Sequence, residues 1–218
     1  MTSAARLVRV LSLALGLLLV SGSAGGAQSA QFTLTDLIRN SEEGAEAFAG
    51  SPRGINNDGT VVGFTGMLPE KSSPYIYEDG DIRRVPSGEF GATLTDINDE
   101  GISTGRTVTG RTDTGAPLGF PTTWEGNESE ALPMPLNLAG REAVEGIARA
   151  INNQGVIAGD VSFDTASFER VAVVWTDREP QILPNAFGVD GCTAWDISEQ
   201  GGVAGQCFNP ATGQYQPI

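Results

Sequence analysis

Residues 150–161 read AINNQGVIAGDV, and three other stretches repeat nearly the same phrase. They are GINNDGTVVGFT from Gly54, DINDEGISTGRT from Asp96 and DISEQGGVAGQC from Asp196. Each reads as a strand ending in Ile, a tight polar turn, and a second strand broken by a glycine. The turn glycines are Gly59, Gly101, Gly155 and Gly201; a second set, Gly63, Gly105, Gly159 and Gly205, follows four residues later. Asn56, Asn98, Asn152 and Ser198 open the turns, where a short polar side chain can bond the backbone two residues on. The turn glycines accept the left-handed conformation that closes a short hairpin loop with a bulge. The strands that follow, TVVG, ISTG, VIAG and GVAG, are mostly small or β-branched and apolar, which predicts burial on both faces. The second glycines predict close approach of another backbone or a bulky ring.

A second hairpin follows each of the first three. SPYIYEDGDIRRVP turns at 78–81, and GFPTTWEGNESEALPM and RVAVVWTDREPQILPN follow the second and third copies. Tyr77, Trp124 and Trp175 end the third strand of their units, and their shared phase predicts core positions. Trp195 has no counterpart in the other repeats, so it is the better candidate for a local contact. The key isoleucines, Ile55, Ile97, Ile151 and Ile197, are spaced by 42, 54 and 46 residues. Four strands in such a period is the size of a propeller blade, and blades bury both faces. The variation in spacing falls in middle loops such as TVTGRTDTGAPLG, where insertions cost least.

The expected fold is therefore all-β, a β-propeller-like array of about four four-stranded blades, at approximately 45–86, 87–135, 140–184 and 185–218. Aligned on Pro217, the last unit stops inside its third strand. Residues 31–38, QFTLTDLI, resemble the missing fourth strand and would complete that blade, closing a ring without exposed edges. The alternative is a truncated fragment of a longer repeat array.

The first 30 residues have the layout of a signal peptide: Arg6 and Arg9, an apolar run at 11–20, then SGSAGGAQSA. Cleavage after Ala27 or Ala30 suits the small residues, leaving 31–218 as a single β-repeat domain. The apolar run is short for a membrane span, and no second one exists. The predicted location is secreted, extracellular or periplasmic. Net charge is -14, and loss of the two leader arginines takes it to -16. Such an acidic protein is a poor match for nucleic acid or an anionic membrane.

Cys192 and Cys207 lie in the two arms of the fourth hairpin, and an oxidising compartment favours a disulfide bond. It would contribute ~3 kcal/mol on loop-closure grounds. The register decides it: the thiols face each other if Ile197 pairs with Gly202 and miss by one position if Ser198 does.

The unit A-x-x-I-N-x-x-G-x-V-V-G, best seen in GINNDGTVVG and AINNQGVIAG, resembles the HAF-family extracellular repeat over nearly all of 31–218. The His-Ala-Phe triplet that names the family is absent; the matching stretches read PYIY, PTTW and AVVW. The resemblance implies secretion and tandem β units, and it implies no catalytic residues.

The chain has no histidine. That excludes Ser-His-Asp and Cys-His catalysis and histidine-ligated zinc. The stretch 96–101, DINDEG, opens like a calcium loop, but its twelfth position is Thr107 where a bidentate Glu is needed. A hairpin turn is the better reading; no cofactor or metal site is assigned, with calcium held between several loops as the open alternative. Asp36, Asp96, Asp160, Asp190 and Asp196 are available as paired carboxylates for glycosidic cleavage, although abundant charge is usually solvated surface. Asn127-Glu128-Ser129 matches a glycosylation acceptor. The function expected is a non-catalytic secreted binding or structural module whose partner is an extracellular protein or glycan. The alternative is a propeller-type enzyme acting on polysaccharide.

Overall fold

The computed structural model describes residues 50–66, 72–112, 115, 117–137, 139–164, 170–184, 187 and 191–218. All described residues lie in one compact unit, within Asp36–Ile218. The predicted leader, the strand at 31–38 and the carboxylates Asp36 and Asp190 fall outside them.

The fold is all-β, in four antiparallel sheets. The first comprises β1 (Gly50–Ile55), β2 (Val61–Thr65), β3 (Ser73–Glu78) and β4 (Asp81–Arg84). The second comprises β5 (Ala92–Ile97), β6 (Ile102–Arg111), β7 (Pro117–Glu125) and β8 (Glu128–Ala131). The third comprises β9 (Glu145–Ile151), β10 (Ile157–Ser162), β11 (Val171–Thr176) and β12 (Glu179–Ile182). The fourth has three strands, β13 (Cys192–Ile197), β14 (Val203–Asn209) and β15 (Gln214–Pro217). Every sheet is a meander in chain order.

Each of the last three sheets buries one face against its predecessor. Val62 and Ile76 of the first sheet meet Leu94, Ile97 and Trp124 of the second. Leu132, just after β8, meets Ile151, Ile157, Val173 and Trp175 of the third. Ala158 and Ala172 of the third meet Ala194, Ile197 and Cys207 of the fourth. The Ile that ends each first strand records this order: Ile97, Ile151 and Ile197 are 5–7% exposed, whereas Ile55 is 66% exposed. No hydrophobic cluster among the described residues covers the Ile55 side of the first sheet or joins it to the fourth.

β10 is buried at all six residues, as a two-sided strand should be. β14 departs from that expectation, with Ala204 exposed and only Cys207 buried. No hydrophobic cluster among the described residues covers the second face of the fourth sheet. The stretch expected as a loop insertion, TVTGRTDTGAPLG, instead lengthens the β6–β7 hairpin, where Thr107 pairs with Phe120 and Arg111 with Pro117. Its alternating threonines suit a strand better than their polarity suggests.

The turns knit the sheets together. Asn98 Oδ1 accepts from the Glu100 and Ile102 amides, holding its own turn. Its Nδ2 donates to the Asn152 carbonyl at 3.3 Å. Asn56 donates likewise to the Asn98 carbonyl and Asn152 to the Ser198 carbonyl. The next residues form a parallel ladder, in which the Asn57, Asp99 and Asn153 amides donate to Asp99, Asn153 and Glu199 side chains. Gly59, Gly101, Gly155 and Gly201 close these turns at φ of +75° to +84°.

The Cys192–Cys207 disulfide is formed, but by a different register from either one reasoned from sequence. Ser198 does pair with Gly202, its amide donating to that carbonyl. A bulge then leaves Trp195 unpaired, which shifts the strand by one and brings Cys192 opposite Cys207.

Candidate functional site

The same bulge occurs in the first strand of every sheet. The register skips Arg53 in β1, Thr95 in β5, Arg149 in β9 and Trp195 in β13. A bulge leaves its extra residue unpaired and re-aims the side chain. The second glycines make it possible. A Cβ on Gly63, Gly105, Gly159 or Gly205 would collide with the carbonyl of Ser51, Thr93, Ile147 or Thr193, each two residues before the bulge. The backbone approach expected at these glycines is thus the inner wall of the bulge.

Four equivalent positions therefore hold four different jobs. Thr95 is a staple: its hydroxyl donates to the Ala148 carbonyl of the next sheet at 2.7 Å. The Arg53 guanidinium sits 5.1 Å from the Phe64 ring centroid. Arg149 and Trp195 meet across the boundary between the third and fourth sheets, the guanidinium carbon 4.2 Å from the indole ring. Trp195 is 49% exposed, so a broad aromatic surface stays open to solvent. Sequence reasoning singled out Trp195 but not its equivalents, because alternation patterns do not reveal an unpaired residue. The available signal was position: each lies two residues before the repeated Ile.

Behind this platform lies a cluster of charge. Arg149 Nε is paired with a carboxylate oxygen of Asp160, which is fully buried. Arg170 is 3.1 Å from the other Asp160 oxygen and 2.8 Å from Glu145. Arg106 of β6 stands near both acids, its stem lying on Gly119, where a Cβ would approach to 2.8 Å. Its Nε is shut off from solvent without a hydrogen-bond partner, and it forms no ion pair among the described residues. Among the described residues three guanidinium groups, those of Arg106, Arg149 and Arg170, thus stand with the carboxylates of Glu145 and Asp160. Burial pushes the Glu145 carboxyl above its ordinary value against the pull of Arg170 and Arg106. Burial also pushes the Arg106 guanidinium below the usual arginine value, with Glu145 opposing.

The other candidate carboxylates serve the backbone. Asp96 accepts from the Ile151 amide of the next sheet at 2.9 Å. It packs against Gly54, whose Cβ would come within 2.6 Å of the Asp96 Cα. Burial raises its pKa, and the charge of Asp196 adds to the rise. Asp196 is exposed and accepts from the Ile197 amide. Asp99, the centre of the calcium-like stretch, accepts from Asn57 and Asn153 side chains at 2.7 and 2.8 Å. Those bonds, led by the Asn57 amide, hold its carboxyl below the ordinary value. Its acidity is explained by the turn ladder. No group of three or more metal-ligating side chains converges among the described residues.

Trp124 and Trp175 are 1% and 0% exposed, the core role their phase suggested, and Trp175 Nε1 donates to the Pro133 carbonyl. Tyr77 is half-buried. Asn127 of the glycosylation triplet lies in the exposed β7–β8 turn and accepts from Arg83 at 3.0 Å. Grooves of about 350 and 440 Å³ run between the first and second and between the second and third sheets. Their walls carry several exposed acids with a single arginine each, Arg83 and Arg178. Comparison with known proteins gives no match to this chain: no family model, no curated protein and no solved structure is similar to it.

Proposed function

We propose that the chain is a secreted, non-catalytic β-repeat module of the HAF-like type that binds an extracellular glycan or protein through its bulged first strands. In this reading the four sheets are propeller-like blades and residues 31–38 supply the outer strand that the fourth sheet lacks. The observation that carries it is Trp195. An aromatic ring left half open, supported from one side by Arg149, is a binding platform more than a core residue. The repeat frees this position from fold-building duty, since Arg, Thr and Trp all occupy it. Secretion is supported by the leader-like first 30 residues and is compatible with the disulfide and with the lack of a membrane-crossing helix among the described residues. The deciding experiment is a glycan and metal binding screen of the mature chain beside Trp195→Ala. Binding lost in the variant with its melting temperature kept supports the reading; identical profiles sink it.

A polysaccharide-cleaving reading draws on one observation, the contribution of the Asp196 charge to the raised pKa of Asp96. Both already accept backbone amides, which favours a structural role. Release of reducing ends from polysaccharide by the wild type, abolished in Asp96→Asn, would reverse that preference.

A further inference from the structure

The first and fourth sheets each lack a neighbour that the inner sheets have. Where two sheets meet, the Ile that closes a first strand packs on the sheet before it, so that Ile97 meets Val62 and Ile197 meets Ala158. Paired with the residue before that Ile stand Val62, Thr104, Ala158 and Ala204, which are equivalent by register. The first three are fully buried, whereas Ala204 is exposed. Ile55 is exposed for the converse reason, since no sheet precedes it among the described residues. The two open faces are thus the two halves of one repeated interface.

The polar ladder stops at the same places. Asp99 donates its amide to Asn153 Oδ1 at 2.9 Å, and Asn153 donates its amide to Glu199. By the same rule the Glu199 amide would donate to Asn57 Oδ1, which accepts no bond among the described residues. Asp96 takes the Ile151 amide of the sheet that follows. Its equivalent Asp196 holds the Ile197 amide with one oxygen, and the other is the matching acceptor for an Ile55 amide. One link would be missing, because Ser198 has no side-chain amide to reach the Asn56 carbonyl.

We propose that a second copy of this chain supplies both missing neighbours, the first sheet of each copy docking on the fourth sheet of the other. Two chains of four sheets then close into one ring of eight. An interface between unlike faces builds a ring when its rotation closes and a filament when it does not. Rings of such blades hold about four to eight sheets, and two chains of four are the only multiple above one within that range. A chain closed on itself would bury Ile55 against Ala204, and both are exposed. The inference rests on the reading of the sheets as blades and is independent of the ligand.

The test is the mass of the purified protein by light scattering, at micromolar concentration and physiological salt. Wild type is expected at twice the monomer mass. Ile55→Asp and Ala204→Arg alter opposite ends of the array at exposed positions. Each is expected to halve the mass while keeping the circular dichroism of the strands. Mixed in equal amounts, the two variants are expected to recover the doubled mass. One junction of the mixed pair keeps both native faces, and the other sets a carboxylate against a guanidinium. A mixture that stays at monomer mass overturns the inference. Doubled mass kept by either variant alone overturns it in favour of pairing through one like face. Wild type at monomer mass also overturns it; lowered melting temperatures of both variants would then place the covering segment within the same chain. Mass that climbs past two copies with concentration overturns the ring in favour of an open filament, and the blade reading with it. None of these masses depends on the glycan screen, so the two readings fail separately.

Discussion

Gly159 lies so close to the carbonyl of Ile147 that no side chain fits between them. That contact is the geometric condition for the bulge at Arg149. Gly159→Ala must therefore push β9 away from β10 or flatten the bulge, at ~1–3 kcal/mol or more. Gly155→Ala meets open space and is strained only by its φ of +75°, for ~1–2 kcal/mol. Urea denaturation of both variants checks the order. Only Gly159→Ala should also change the Trp195 environment, seen as a shift of its fluorescence in a variant lacking the other tryptophans.

Asn98 does two things at once, holding its own turn with Oδ1 and the next sheet with Nδ2. The fourth repeat uses Ser198, whose hydroxyl accepts from the Gly202 amide and which has no second arm. Asn98→Ser keeps the turn and loses the link between sheets, at ~0.5–1.5 kcal/mol, since the Asn152 carbonyl keeps its bond from the Gly155 amide. The Asn57→Ala change, at an exposed position, should cost well under this. Equilibrium unfolding of the two variants tests the ranking.

Asp99 gives the ladder a pH dependence. Its carboxyl is held below the ordinary value by the Asn57 amide and by the Asn57 and Asn153 side chains. A depressed folded value means that its stabilising effect is complete above the unfolded value of ~3.9. It drains away as pH falls through the folded value. Asp99→Asn should remove this part of the acid limb. The stability gap between wild type and variant, measured in urea from pH 5 downward, should narrow as the carboxylate protonates. A gap that stays constant would show that Asp99 is not coupled to folding.

Three tryptophans should behave as two classes. Trp175 is wholly buried against the preceding sheet, so Trp175→Ala should cost ~3–5 kcal/mol, and Trp175→Phe less. Trp195→Ala, at a half-exposed bulge, should cost no more than ~1 kcal/mol. Thermal melts of the two variants separate a core aromatic from a surface platform.

The fourfold phrase in the sequence was enough to place the turns, most strands and the buried Trp124 and Trp175. The reason is local: a left-handed glycine, an Asx turn and β-branched strands act within a few residues. The two-by-two hairpin order of each sheet followed from the same spacing. The bulges were not legible, because a period of two has no symbol for an unpaired residue. Everything that depends on them was hidden too, from the register that joins Cys192 to Cys207 to the exposure of Trp195. The charge cluster was equally out of reach, since Arg106, Glu145, Asp160 and Arg170 come from four separate stretches and only the packing of the second and third sheets brings them together. Sequence alone determined which segments pair within a sheet, because neighbours in the chain supply both partners. Tertiary structure decided what each sheet presents to the next, and so which charges from distant stretches meet, because those contacts join residues far apart in the chain.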